Sequence, residues 1–185
     1  MIYIVDHQDS FTYNLVHLLS NFDKVYVSNY SNINYSELRK SKVIVLSPGP
    51  GEPKNYPETS SLYKKYKGKK KILGICLGFQ QILYNENGKI VKQKKIFHGH
   101  QSQIDILKSS KLFKGLKSFK VGKYHSLKLK EPFKSKDIFI TMRCAETKTA
   151  MAIENIKKKV YGFQFHPESF LTPNGKFIIK KILSA

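Results

Sequence analysis

The sequence predicts an α/β protein built as three layers, with a central, mostly parallel sheet between two layers of helices. Short β-branched apolar runs alternate with amphipathic segments through residues 1–84, a pattern typical of a parallel sheet covered on both faces. After residue 90 the apolar runs follow one another with few helices between them. We therefore expect additional antiparallel strands in the C-terminal half.

The elements of the first half follow from periodicity. Apolar residues recur at helical spacing from Phe11 to Leu19, and Asp9 or Ser10 is the candidate N-cap of that helix. The segment 42–46 is apolar throughout after its lysine, which indicates a fully buried strand. The predicted strands are 2–5, 24–27, 42–46 and 71–75, and the predicted helices after the first are 36–40, 58–66 and 78–84.

The second half is predicted to be rich in strands. Its predicted strands are 90–97, 103–107, 124–129, 138–142, 150–156 and 160–165. Asn174 and Gly175 form a turn before a closing amphipathic helix at 176–183. No repeat, low-complexity segment or linker interrupts the pattern, so we expect one domain over residues 1–185.

Composition excludes several classes of protein. The chain has 185 residues and is 41% hydrophobic, ordinary for a folded domain, and no apolar run approaches the roughly 20 residues of a membrane span. Residues 1–6 lack the features of a signal peptide and are instead predicted to be a strand. The two cysteines, Cys76 and Cys144, are too few for a disulfide framework, which favours a reducing, cytoplasmic location.

The formal charge of +20 raises the possibility of nucleic-acid binding. Only Arg39 and Arg143 are arginines among the 33 basic residues, although arginine is the side chain preferred for bidentate recognition of phosphate and guanine. The lysines are dispersed in short runs typical of solvated faces. We therefore expect no nucleic-acid partner and consider an acidic patch on a protein partner the better use of this charge.

One candidate nucleophile is Cys76, which lies in the pattern G-x-C-x-G between a buried strand and a helix. This is the arrangement of a nucleophile elbow, with cysteine in place of serine. Small neighbours permit the sharp turn, and the N-terminus of the following helix favours a thiolate. The alternative is a structural cysteine beside two packing glycines.

Two further segments carry candidate chemistry. His166 and Glu168 are two residues apart, so along a strand their side chains would share one face, with the carboxylate orienting the imidazole of a general base. The segment 47–53 (SPGPGEP) follows a buried strand, and its backbone N–H groups are candidate donors of an oxyanion hole. Each segment alone is equally compatible with a simple turn, but all three sites follow strands of one predicted sheet.

These motifs together resemble the class I, or triad, glutamine amidotransferases. Within that family the chain is similar to the small subunits of anthranilate synthase and aminodeoxychorismate synthase, and the similarity covers essentially its whole length. The motifs that carry the resemblance are residues 5–15 (VDHQDSFTYNL), 48–51 (PGPG), 74–80 (GICLGFQ), 97–99 (FHG), 124–127 (YHSL) and 162–169 (GFQFHPES).

The resemblance implies a flavodoxin-like fold and glutaminase activity. His7, His17 and His98 show no metal-ligand spacing, so we expect no metal site, and no cofactor is expected. The resemblance also implies a catalytic triad of Cys76 as nucleophile, His166 as general base and acid, and Glu168 as its orienting carboxylate. The remaining residues it implies are the oxyanion donors Gly49 and Leu77 and the glutamine-binding residues Gly49, Pro50, Gly51, Gln80, Ser126 and Leu127.

The implied partners are L-glutamine and a large, chorismate-binding synthase subunit, component I. No membrane partner is expected. Anthranilate for tryptophan is the favoured product, and aminodeoxychorismate for folate is the alternative. Family members often carry histidine at the position of Phe79, and they differ from this chain at His100 and Gln101, a segment expected to face the partner or the ammonia route. Two other functions are open: a basic binding module without catalysis, which the intact triad disfavours, and a free-standing γ-glutamyl hydrolase, which the motif at 9–15 disfavours.

Overall fold

A computed structural model describes residues 1–93 and 98–185 of the chain. The strands are β1 (Ile2–Asp6), β2 (Val25–Asn29), β3 (Val43–Leu46), β4 (Lys71–Ile75), β5 (Ile90–Lys92), β6 (His100–Ile106), β7 (Ser118–Lys123), β8 (Leu127–Leu129), β9 (Phe139–Cys144), β10 (Ala150–Asn155) and β11 (Val160–Phe163). The helices are α1 (Thr12–Ser20), α2 (Tyr35–Lys40), α3 (Pro57–Tyr66), α4 (Leu77–Asn85) and α5 (Gly175–Leu183), with a 3₁₀ turn at Pro53–Asn55.

Nine of these strands form one mixed sheet in the order β2-β1-β3-β4-β11-β10-β9-β6-β7. The first five strands in that order are parallel to one another, and β10, β9, β6 and β7 extend the sheet in antiparallel fashion. Strands β5 and β8 form a separate antiparallel pair. The prediction of a parallel centre with antiparallel additions from the C-terminal half is therefore confirmed.

Alternation of side chains along β1 explains the three layers. Ile2 and Ile4 pack on one face of the sheet, in a cluster that includes apolar residues of α1 and α5. Tyr3 and Val5 point to the other face, where the cluster includes residues of α2, α3 and α4. Because successive residues of a strand face opposite sides, an apolar strand needs a helical layer on each face, as predicted.

Four parallel strands end at the same edge of the sheet. The segments that follow β1, β3, β4 and β11 begin at His7, Ser47, Cys76 and Gln164. Open parallel sheets bind ligands at this carboxyl edge, and the three candidate segments predicted from sequence all emerge there.

Some predicted elements differ from the structure. Only Leu127–Leu129 of the predicted strand 124–129 is a strand. Strand β7 was not predicted, because its two lysines and its glycine leave Phe119 and Val121 as its only alternating apolar residues. Neither Asp9 nor Ser10 caps α1; instead the Asp9 carboxylate accepts a hydrogen bond from the Phe11 N–H at 2.8 Å, which closes a turn before the helix. The part of the predicted strand 90–97 that covers residues 94–97 lies outside the described residues.

No helix in the two described ranges is long and apolar enough to cross a membrane.

Candidate active site

Cys76 occupies a sharp turn between β4 and α4. Its backbone has φ of 51° and ψ of −101°, a conformation that non-glycine residues rarely adopt. The Cys76 N–H donates to the Phe163 carbonyl on β11 at 2.8 Å, which ties the turn to the sheet. A Cβ atom on Gly78 would lie 2.2 Å from the Leu46 carbonyl oxygen, and one on Gly74 would lie 2.4 Å from the Gly78 carbonyl carbon. Both glycines are therefore required by close backbone contacts.

The sulfur of Cys76 lies at the N-terminal end of α4, whose first N–H groups have no acceptor within the helix. Two glutamine side chains form a series of polar contacts that ends at the Cys76 sulfur. The Gln80 amide donates to the Gln164 side-chain oxygen at 3.1 Å, and the Gln164 amide lies 3.6 Å from the sulfur. Gln80 was predicted to bind substrate, whereas Gln164 had no predicted role. Its position two residues before His166, just past a strand, was the signal that could have identified it.

The imidazole of His166 is bonded to Glu168 through Nδ1, which lies 2.8 Å from Oε1. Both side chains are almost completely buried. The predicted reason for their proximity was wrong, because β11 ends at Phe163 and Glu168 lies in a turn rather than on a strand. The turn is held by Thr172, whose hydroxyl donates to the His166 carbonyl at 2.7 Å.

The electrostatics of His166 are set by two neighbours. Burial alone would lower its pKa, but the Glu168 carboxylate and Cys76 outweigh burial and raise the pKa of His166 well above 6.5. Nε2 makes no hydrogen bond to any of the described residues, while Nδ1 is engaged by Glu168. Nε2 is therefore the nitrogen available to exchange a proton in the cavity.

Aromatic rings hold the imidazole of His166 in place. The ring centroids of Phe11 and Tyr124 lie 5.1 Å and 5.0 Å from the His166 centroid, and 4.8 Å from each other. The Tyr124 hydroxyl is hydrogen-bonded to the Ser169 hydroxyl at 2.8 Å. Sequence reasoning gave neither aromatic residue a role, because their contacts with His166 cross the fold.

The segment Pro48 to Gly51 leaves β3 beside the cysteine turn. Gly51 has φ of 74°, in the left-handed region that favours glycine. A Cβ on Gly49 would lie 2.5 Å from the His7 Cβ and 2.6 Å from the Leu77 Cδ2. The two predicted oxyanion donors, Gly49 and Leu77, are thus in close packing contact.

The segment 124–127 forms the opposite wall. The His125 ring donates from Nδ1 to the Leu127 carbonyl at 2.9 Å, and the Gln93 amide donates to the His125 carbonyl at 2.6 Å. Burial lowers the pKa of His125 to about 4. A neutral, buried ring therefore fixes the backbone of Ser126 and Leu127, the residues predicted to hold glutamine.

These segments enclose a cavity of about 320 Å³. Every predicted site residue lines it except Glu168, which bonds to the far side of the His166 ring. The lining residues are Asp9, Ser10, Phe11, Gly49, Pro50, Gly51, Cys76, Leu77, Gln80, His98, Tyr124, His125, Ser126, Leu127 and His166. Outside residues 94–97, no group of three or more His, Cys, Asp or Glu side chains is arranged to hold a metal ion.

A larger cavity of about 710 Å³ contains none of these residues and is lined by lysines. Its Lys71 ammonium donates to the carbonyls of Ile182 and Leu183 at the end of α5. A lysine at this position complements the negative end of the helix dipole.

The chain is similar to known proteins along its whole length. The family model for glutamine amidotransferase class-I matches residues 3–185. Anthranilate synthase component 2 of Lactococcus lactis is 38% identical, over 100% of this chain and 94% of its own length. Bifunctional protein TrpGD of Thermotoga maritima is 35% identical over 99% of this chain, which spans only 32% of that longer protein.

Solved structures share the fold. A Thermoplasma acidophilum protein, provisionally assigned to GMP synthase as one of its subunits, superposes with a TM-score of 0.85 at 23% identity, over 99% of this chain and 92% of the other. A glutamine amidotransferase from Thermotoga maritima has a TM-score of 0.77 at 14% identity, over 99% and 96%. The flavodoxin-like, three-layer fold predicted from sequence is confirmed.

Proposed function

The chain belongs to the class-I glutamine amidotransferase family, and from this premise we propose that Cys76, His166 and Glu168 hydrolyse L-glutamine to glutamate and ammonia. We further propose that the ammonia passes to a chorismate-using synthase subunit, and that residues 1–185 form one amidotransferase domain. The observation that carries the proposal is the 2.8 Å bond between His166 and Glu168 in a site where His166 and a strained Cys76 line one cavity.

In the first step, the Cys76 thiolate attacks the side-chain amide carbon of glutamine. The amide oxygen becomes an oxyanion, for which the Leu77 and Gly49 N–H groups are the proposed donors. Such donors act because they are already aimed before charge develops. The raised pKa of His166 supports an imidazolium beside the sulfur at neutral pH, so Nε2 has a proton to give to the leaving nitrogen. Collapse of the oxyanion breaks the C–N bond, releases ammonia and leaves the γ-glutamyl thioester of Cys76.

In the second step, the neutral His166 takes a proton from water, and the hydroxide attacks the γ-glutamyl thioester. Collapse of this second oxyanion releases glutamate and restores the Cys76 thiolate and the imidazolium. Glu168 stays ionised throughout and holds the tautomer of the ring. Gln80, Ser126 and Leu127, together with the 49–51 segment, are the proposed contacts for the rest of the substrate.

The proposed product of the partner is anthranilate, for tryptophan. The support is that relatives covering the full chain at 33–38% identity are named as component 2 or II of anthranilate synthase. Aminodeoxychorismate remains the alternative product, since the same ammonia-releasing chemistry serves either acceptor.

The test combines the chain with each candidate chorismate enzyme from its own genome and identifies the product formed. Cys76→Ser is expected to abolish synthesis that depends on glutamine, while synthesis from added ammonia continues in the large subunit. Equal loss of both activities would contradict the proposed division of labour. Retained glutamine hydrolysis in Cys76→Ser would instead remove the cysteine from the mechanism.

A further inference from the structure

His7 is a completely buried residue for which the proposed mechanism has no use. It follows β1 directly, and its side chain lies beneath the segment that leaves β3. The ring contacts Tyr56 edge-on with a centroid distance of 4.9 Å and stacks on Tyr30 at 5.9 Å. A buried polar ring of this kind must have its hydrogen bonds satisfied inside the protein.

The hydrogen bonds of His7 identify its tautomer. The Ser47 hydroxyl donates to the Pro48 carbonyl at 2.6 Å and accepts from the His7 backbone N–H at 2.9 Å. Since its single proton is used, the Ser47 hydroxyl can only accept from Nδ1, which lies 3.2 Å away. Nε2 is then the acceptor, at 2.9 Å from the Thr59 hydroxyl.

Packing also connects the His7 ring to Gly49 and Pro50, the two residues that follow Pro48. Gly49 lies so close that a Cβ there would be 2.5 Å from the His7 Cβ. Tyr56, which packs against the ring, donates its hydroxyl proton to the Pro50 carbonyl at 2.8 Å. Three consecutive residues, Pro48 to Pro50, are therefore held directly or through one intermediary by His7.

We propose that His7 is a positioning residue that keeps the Gly49 N–H aimed at the oxyanion during glutamine hydrolysis. The inference rests on the proposed function, because it assigns His7 a part in that reaction. His7 touches no substrate; it acts through Ser47, Tyr56 and its contact with Gly49.

The chemistry of the imidazole explains why this position suits histidine. Burial lowers the pKa of His7 to about 4, against the opposing effects of Ser47 and Asp6, so the ring is neutral at pH 7 and offers one donor and one acceptor. Phenylalanine would fill the same volume but would leave the Thr59 hydroxyl and one acceptor site of Ser47 unsatisfied. Unsatisfied buried groups are destabilising and favour local rearrangement.

The experiment compares His7→Phe with Ile104→Val, a core substitution on β6 that lies outside the cavity lining. Both proteins are assembled with the partner synthase, and kcat and KM for glutamine hydrolysis are measured beside thermal stability. A second assay follows alkylation of Cys76 by iodoacetamide, in which the thiolate displaces iodide from a methylene carbon. That reaction develops no oxyanion, so it reports on the nucleophile alone.

We expect His7→Phe to lower kcat by about tenfold or more, toward the loss seen when an oxyanion donor is removed. The alkylation rate should stay within about threefold of the wild type, and Ile104→Val should leave kcat, KM and the alkylation rate near wild type. If the His7→Phe protein does not fold, Thr59→Val removes only the hydroxyl partner of Nε2, and the same selective loss of kcat is expected at smaller size.

An unchanged kcat in a folded His7→Phe or Thr59→Val protein would overturn the inference. A parallel fall of kcat and alkylation rate would overturn it too, because the defect would then be general. If the wild-type complex does not hydrolyse glutamine at all, the proposed function fails instead. The two failures are therefore distinguishable.

Discussion

Two sides of one cavity contain a buried histidine in opposite states. On the donor side, at the ends of β1 and β3, burial lowers the pKa of His7 to about 4. On the base side, at the ends of β4 and β11, the pKa of His166 is raised well above 6.5 despite equally deep burial. The rings differ in what faces them: two hydroxyls at His7 and a carboxylate with a thiol at His166.

The comparison teaches that burial does not decide the charge of a histidine in this fold. Removing an imidazolium from water favours the neutral ring, and only an opposite charge nearby reverses that preference. The neutral ring suits a rigid support for the donor loop, and the charged ring suits a proton donor. Substitutions on either side of the cavity should each remove one part of this difference.

The largest effect is expected from Glu168→Gln on the base side. Without the carboxylate, burial should dominate and the pKa of His166 should fall toward that of His7, so kcat for glutamine hydrolysis should fall about 10²–10⁴-fold. Steady-state kinetics and NMR titration of the imidazole measure the two effects. Glu131→Gln, which breaks the ion pair with Arg143 in the antiparallel half, is the control with unchanged kcat. Wild-type kcat in Glu168→Gln would contradict the assignment of Glu168.

The next effect is expected from Gly49→Ala on the donor side. The added methyl would overlap His7 and Leu77 at 2.5–2.6 Å, so the donor segment must shift. We expect kcat to fall by about 10²-fold, as for loss of one oxyanion donor. Gly162→Ala on β11, whose methyl would have side-chain atoms of Ile153 and Phe79 as its nearest neighbours at 3.2–3.3 Å, is the control and should keep most activity. Wild-type kcat in Gly49→Ala would exclude this segment from catalysis.

The smallest effect concerns acid stability. An unfolded His7 binds a proton near pH 6.5, whereas the folded ring resists it until about pH 4, so stability falls as pH drops. This residue alone should cost about 2 kcal/mol of unfolding free energy between pH 7 and pH 5. The contribution of His166 has the opposite sign: it is complete below pH 6.5 and is lost only as pH rises through its folded pKa.

Urea unfolding at pH 7, 6 and 5 measures this acid effect. The loss of unfolding free energy between pH 7 and pH 5 should be about 2 kcal/mol smaller in His7→Phe than in the wild type. His125, whose pKa is also lowered to about 4, should account for part of the loss that remains. An equal slope in wild type and His7→Phe would show that folding does not lower the pKa of His7.

Much of the architecture could be predicted because its causes are local. The strands and helices of the parallel half follow from period-2 and period-3.6 patterns, and the Cys76 turn follows from two glycines in a five-residue motif. Where the local pattern was weak, prediction failed. Strand β7 has only Phe119 and Val121 as apolar alternation, and it is held by pairing with β6 across a long connection. The α1 cap was also missed, since the Asp9 turn competes with capping.

The remaining contacts of the site depend on residues far apart in the chain. Gln164 reaches Gln80 and Cys76 across 84 and 88 residues, and Tyr124 reaches His166 from the segment that follows β7. Such pairs leave no periodic signal, because nothing in either segment specifies the other. The sequence could place Cys76, His166 and the segment 47–53 at one sheet edge but could not say which side chains touch.

His166 and His7 show the same distinction between local and tertiary causes. For His166 the sequence by itself determined the outcome in large part, since the carboxylate that counters burial is only two residues away at Glu168. For His7 only the tertiary structure determined the charge of the ring. Its partners Ser47 and Thr59 are 40 and 52 residues distant, and folding alone brings two hydroxyls, rather than a carboxylate, against the buried ring. A ring desolvated without a counter-charge stays neutral.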